Sequence, residues 1–88
     1  IFAIKFPNKT LNVEGNVDIF GIGLTSLPIK FGKVTGNFKC FNNKLSSTEN
    51  FPNYIGGNLW IGDNKVRFSE KEIRKVCEVK GDVWVKNL

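Results

Sequence analysis

The residues with the clearest chemical potential in this sequence are aromatic and basic. They lie in short segments in which apolar residues alternate along the chain. The residues are Phe20, Lys39, Phe41, Trp60, Trp84 and Lys86. Aromatic rings stack on one another and accept cations on their faces. Trp is also enriched among the residues that dominate binding energy at interfaces. These six residues therefore predict a binding face.

Residues suited to catalysis are sparse. The chain has no His, which removes the usual general base and the usual zinc ligand. The glycine-rich pairs lack the flanking residues of a phosphate-binding loop. The candidate carboxylates show no recognisable catalytic spacing: Glu14, Asp18, Glu49, Asp63 and Asp82. We therefore expect no enzymatic activity, no cofactor and no bound metal.

Charge alone leaves two interpretations of the surface. Thirteen Lys and Arg against eight Asp and Glu give a net charge of +5, which suits nucleic acid or another anionic partner. The basic residues are scattered, however, and only 71–75 approaches a cluster, so we favour a solvated surface. No stretch reaches the roughly 18 apolar residues of a membrane span, and we expect no membrane partner.

A repeat sets the positions of all these residues. The glycines Gly15, Gly36, Gly57 and Gly81 are spaced by 21, 21 and 24 residues, and each is followed by Asn or Asp and an alternating apolar run. Gly and Asn accept the positive φ of a turn, and the alternation predicts a short strand with one buried face. A unit this short cannot bury that face alone, so the units must stack.

Stacking predicts a β-rich solenoid with about one short parallel strand per 21-residue coil. We expect a single repeat domain over 1–88, with repeats at about 7–27, 28–48, 49–69 and 70–88. Segment 1–6 would be the tail of a preceding unit or a cap, and the chain would be a fragment of a longer protein. Three inward ladders are expected: Val17, Phe38, Leu59, Val83; Ile19, Cys40, Ile61, Val85; and Leu24, Leu45, Val66.

The segment 38–45, Phe-Lys-Cys-Phe-Asn-Asn-Lys-Leu, resembles the L-x-L-x-x-N-x-L core of leucine-rich repeats. Segment 24–28 is similar to the L-T-S-L-P tail of short bacterial-type repeats. The V-x-G-[ND] start and the Cys-x-x-Asn variant resemble leucine-rich-repeat-like proteins of tailed phages. This resemblance implies a viral protein, in the host cytoplasm or the virion. It also implies that Asn43 and Asn64 lie inside the coil and satisfy backbone groups.

One unit ends differently from the others. Ser69 and Glu72 form a capping box, and Ile73, Val76 and Cys77 make one apolar face. We expect a short helix from Ser69 to about Cys77. Since Cys40 falls on a buried strand position, it is badly placed to bridge to Cys77. Two free thiols and a reducing compartment are expected.

Strand alternation also gives the outward face. Two outward rows are predicted: Asp18, Lys39, Trp60, Trp84; and Phe20, Phe41, Gly62, Lys86. We favour a protein partner or a second copy of the chain on this face. Single-stranded nucleic acid or a glycan stacked on the same rings is the alternative. A third interpretation is that the rings only stabilise the sheet, or are covered by another part of the polypeptide.

Overall fold

The computed structural model describes residues 10–86, and within them each coil carries two short strands. In each coil, the first strand precedes the repeat glycine and the second strand follows it. The expected tail at 1–6 lies outside the described residues. The elements in chain order are β1 (Thr10–Val13), β2 (Val17–Asp18), β3 (Lys30–Val34), β4 (Phe38–Lys39), β5 (Tyr54–Ile55), β6 (Leu59–Trp60), α1 (Glu70–Val76), β7 (Glu78–Val79) and β8 (Val83–Trp84).

The strands form two parallel sheets that run the length of the stack. The first sheet has the order β1-β3-β5-β7 and the second has the order β2-β4-β6-β8. Every neighbouring pair is parallel, as expected of a chain that winds in one direction. The predicted parallel β-solenoid with one short C-terminal helix is confirmed. The first sheet is an addition, because we expected about one strand per coil.

The register of the second sheet is the predicted one. Val17 pairs with Phe38, Phe38 with Leu59, and Leu59 with Val83. Phe38 and Leu59 are fully buried between the sheets. Within one coil, the Phe31 and Phe38 rings meet edge to face with their centroids 5.1 Å apart, and the Phe38 ring lies 6.2 Å from that of Phe51 in the next coil. Apolar contacts within each coil and between stacked coils therefore supply the core.

The third inward ladder is only partly present. Leu24 and Leu45 are buried, but Val66 is 39% exposed. The predicted inward placement of Val66 is therefore wrong. The backbone N–H groups of Lys65 and Val66 both point to the carbonyl of Leu45, at 3.1 and 3.3 Å. The chain leaves the coil path here to start the helix. Phe68 is buried in place of Val66, with its ring 6.3 Å from that of Phe51.

Helix α1 has the predicted start. The Ser69 hydroxyl accepts from the Glu72 N–H at 3.1 Å and donates to the Glu72 carboxylate at 3.0 Å. Ile73 is fully buried, as expected. Val76, in contrast, is 49% exposed, so its placement on the apolar face is wrong. The helix ends at Val76 and Cys77 is already extended, so only one turn faces the core.

Glycine is required at the repeat positions for two different structural reasons. Gly15 has φ +111°, a conformation that side chains rarely adopt. The later glycines do not have positive φ, so the predicted turn conformation is wrong for them. They are needed for close coil approach: a Cβ on Gly57 would lie 2.9 Å from the Gly36 carbonyl oxygen, and one on Gly81 would lie 2.7 Å from that of Gly57.

Candidate functional site

The six residues singled out in the sequence lie together on the outer side of the second sheet. We call this surface the aromatic face: Phe20, Lys39, Phe41, Trp60, Trp84 and Lys86. Strand pairing puts Lys39 beside Trp60 and Trp60 beside Trp84 in one row. Because Phe38 and Leu59 point inward from the same strands, their neighbours must point away from the core.

The aromatic side chains form two stacks across neighbouring coils. The rings of Phe20 and Phe41 are 4.6 Å apart between centroids and tilted by only 6°. The rings of Trp60 and Trp84 are 6.2 Å apart and tilted by 9°. Each pair consists of neighbours in one of the two outward rows that the repeat spacing predicts. Phe20 and Trp84 remain 45% and 47% exposed, so the stacks present open ring surface.

A lysine packs on a ring of its own row. The Lys39 ammonium nitrogen lies 5.2 Å from the centre of the Trp60 ring, within the range of a cation–π contact. Such a contact at an exposed site contributes about 0.5–1 kcal/mol. The contact holds Lys39 over the Trp60 ring, so the face carries a positive charge beside its apolar surface.

A groove of about 460 Å³ opens over Gly62, the position in the second row that has no side chain. Gly62 stands between Phe41 and Lys86 in that row. Trp60, Trp84 and Lys39 also line the groove. A Cβ at position 62 would lie 2.1 Å from the Lys86 carbonyl oxygen, so the approach of the next coil requires glycine there.

Sequence reasoning placed Gly62 in the outward row but missed the groove. A single small residue between large ones in a ladder is the signal that could have revealed it. Asp63 also lines the groove, although the sequence suggested it only as one of five carboxylates without catalytic spacing. It has φ +52°, like Asn42 one coil earlier at φ +56°. Both residues follow the strand at a left-handed turn.

The in-phase asparagines lie below this surface and hold the coil bends. The side-chain oxygen of Asn43 accepts from the N–H groups of Ile22 and Leu24 at 3.1 and 3.0 Å. Its amide donates to the carbonyls of Ile19 and Cys40 at 2.9 and 3.0 Å. Satisfied buried polar groups of this kind fix the backbone path. Asn43 therefore supports the aromatic face from inside the coil.

The cysteines are free and buried, as expected. Burial raises the pKa of the Cys40 thiol far above its usual range. Burial also raises the pKa of Cys77, to about 11, against the opposing charges of Lys30 and Arg74. Both thiols are therefore neutral near pH 7. Within residues 10–86, no group of three or more Cys, Asp and Glu side chains could hold a metal ion.

Comparison of the chain with protein-family models, with curated proteins and with solved structures finds no match. The likeness to phage leucine-rich repeats thus stays a prediction from the motifs. In the part of the chain that the structure describes, no helix is long and apolar enough to cross a membrane. The aromatic face and its groove are the features from which a function can be argued.

Proposed function

We propose that this chain is a non-enzymatic binding module that takes a protein partner through the aromatic face. The observation that carries the proposal is the groove walled by Phe41, Trp60 and Trp84. Exposed apolar surface bordered by polar groups is typical of interaction sites. Trp side chains there supply large contact area at low entropic cost, because the stacking already fixes their rotamers.

The geometry of the stack suggests what enters the groove. The Phe20–Phe41 ring spacing of 4.6 Å is close to the roughly 4.8 Å between neighbouring strands. A ring from a partner placed over Gly62 would continue that stack at the same spacing. Lys39 and Lys86 flank the position and would attract a carboxylate beside the ring. We therefore favour a partner segment with an aromatic residue next to an acidic one.

The charge pattern favours protein over nucleic acid. Proteins that bind single strands combine aromatic rings with a positive groove that follows the phosphates. Here Asp18 opens the same row as Lys39, and Asp63 lines the same groove as Lys86. The two lysines of this face are therefore balanced by two carboxylates. The net charge of +5 lies mostly elsewhere on the chain.

A pull-down with three forms of the chain tests the proposal. Wild type, a Trp60→Ala/Trp84→Ala variant and a Tyr54→Ala control are tagged and incubated with lysate, with and without nuclease. Tyr54 is a suitable control because it lies on the first sheet, under Lys33. We expect a protein captured by wild type and by the control, insensitive to nuclease, and lost by the double variant.

Two results would oppose this function. Capture that is equal in all three forms would exclude the aromatic face as the site. Capture that nuclease abolishes, and that weakens steeply with salt, would favour single-stranded nucleic acid instead. Direct titration of a captured partner is simple, because both tryptophans of the chain lie in the groove and their fluorescence should respond.

A further inference from the structure

The first sheet passes its hydrogen bonds from coil to coil in a fixed pattern. In each coil, the carbonyl two residues before the repeat glycine accepts from the next coil. Val34 accepts from Gly56 N–H at 2.8 Å, and Ile55 accepts from Lys80 N–H at 2.9 Å. The glycine carbonyl itself does the same, as when Gly57 accepts from Gly81 N–H at 3.0 Å.

In the last described coil, one side chain takes the place of the next coil. The two terminal nitrogens of Arg74 donate to the carbonyl oxygens of Val79 and Gly81, at 2.7 and 3.0 Å. These are the two carbonyls that each earlier coil offers to its successor. The Arg74 Nε donates to the Glu70 carboxylate at 2.8 Å, one helical turn away, which holds the guanidinium in position.

We propose that Arg74 is an edge cap that prevents another strand from pairing with β7. An open sheet edge invites pairing with a second chain, and natural proteins block such edges. The planar guanidinium suits this role because it offers several donors in a fixed geometry. A second copy stacking by its first coil would have to displace Arg74. Its Glu14 and Gly15 N–H groups would be the competing donors.

The opposite end of the same ladder carries an independent cap. Gly15 belongs to the first described coil, and its N–H donates to the Thr35 hydroxyl at 2.8 Å. In later coils the equivalent glycine N–H reaches the glycine carbonyl of the preceding coil. The residues in phase with Thr35 are Gly56 and Lys80, which have no hydroxyl. Side chains of the chain itself thus bond to ladder groups at both ends of the described residues.

The blocked contact is a head-to-tail contact between copies, so the test is self-association. Sedimentation velocity over a range of concentrations compares wild type with Arg74→Lys, and with Arg74→Lys/Thr35→Val. Lysine keeps the charge but has a single terminal nitrogen, so it does not reproduce the two separate donor nitrogens of the guanidinium. Lys75→Gln is the matched control on the same helix. We expect association to strengthen roughly tenfold or more in the double variant, since two carbonyls are freed at one end and one N–H group at the other.

Hydrogen exchange distinguishes ordered stacking from loss of folding. In the expected assembly, association slows exchange of the Glu14 and Gly15 amides in the variant. In wild type, exchange of the same amides should not change with protein concentration. Larger species without this protection would be ordinary aggregation and would overturn the proposal. Unchanged sedimentation of folded Arg74→Lys/Thr35→Val would overturn it as well. Association through the aromatic face would be equal in all forms, so it does not affect the comparison.

Discussion

The side chain of Asn64 joins two successive coils: its amide nitrogen donates to the Cys40 carbonyl oxygen at 3.2 Å, and its amide oxygen accepts from the Leu45 N–H at 3.0 Å. The same amide donates within its own coil to Ile61 at 2.9 Å. Asn43 makes the equivalent contacts one coil earlier. Each asparagine therefore satisfies backbone groups that the bend turns away from water.

Replacing Asn43 by Ala should destabilise the fold strongly. The change removes a buried donor and acceptor and leaves the Leu24 N–H and the Ile19 carbonyl without the hydrogen bonds that Asn43 supplies. Each buried polar group left unsatisfied costs about 1–3 kcal/mol, so we expect a loss of about 3 kcal/mol or more. Urea unfolding measures it. The control is Asn53→Ala, because Asn53 is exposed and its side chain meets only Lys30 at 3.1 Å. Equal losses in both variants would contradict the role of Asn43.

Features carried by the period of the sequence could be predicted. The glycine phase and the alternating runs gave the register of β2, β4, β6 and β8, since both are local properties. The same alternation placed Trp60 and Trp84 on one face. The helix start was also local, because Ser69 and Glu72 cap it within one turn.

Features that depend on contacts between coils could not be predicted. The Lys86 backbone approaches Gly62 from the next coil and requires glycine beneath the groove, and sequence spacing does not contain that approach. Val66 fits the ladder phase, yet the chain has already turned toward α1 at that point. Arg74 looked like a solvated helix residue, and its two carbonyl partners become visible only once β7 is placed.

Gly57→Ala should be much more harmful than an alanine on the surface. The new Cβ would lie 2.2 Å from the Asn37 side-chain oxygen and 2.9 Å from the Gly36 carbonyl oxygen. The coils must move apart, which weakens the bond from Gly57 N–H to Gly36 at 2.9 Å. We expect a loss of about 1–3 kcal/mol, as for overpacking in a core. Thermal unfolding beside exposed Glu14→Ala measures the difference, and a melting temperature equal to that control would refute the close approach.

Both cysteine thiols should resist alkylation at neutral pH in the folded protein. Burial raises the pKa of Cys77 from 9.0 to about 11, and raises that of Cys40 further, so little thiolate is present. Iodoacetamide labelling at pH 7.5, read by mass, should be slow until urea unfolds the chain. Rapid labelling of either cysteine below the unfolding transition would contradict the buried placement.

The same shift predicts the sign of the alkaline stability change. The folded state holds the Cys77 proton more tightly than the unfolded chain does, so its contribution to stability is complete below pH 9. It is lost as the pH rises from 9.0 toward 11. Urea midpoints across this range should fall, and should fall less in Cys77→Ala. Identical pH dependence in wild type and Cys77→Ala would show that another group causes the loss.

Quenching of tryptophan fluorescence by iodide should report the charge of the groove. Both tryptophans lie within it, and Lys39 lies 5.2 Å from the Trp60 ring centre, so an anion should concentrate near the rings at low ionic strength. Lys39→Gln should lower quenching by iodide and leave quenching by neutral acrylamide unchanged. Lys33→Gln is the matched control, because Lys33 lies over Tyr54 on the first sheet. If both variants lower iodide quenching equally, net charge rather than the groove attracts the anion, and the carboxylate expected beside a partner's ring loses its support.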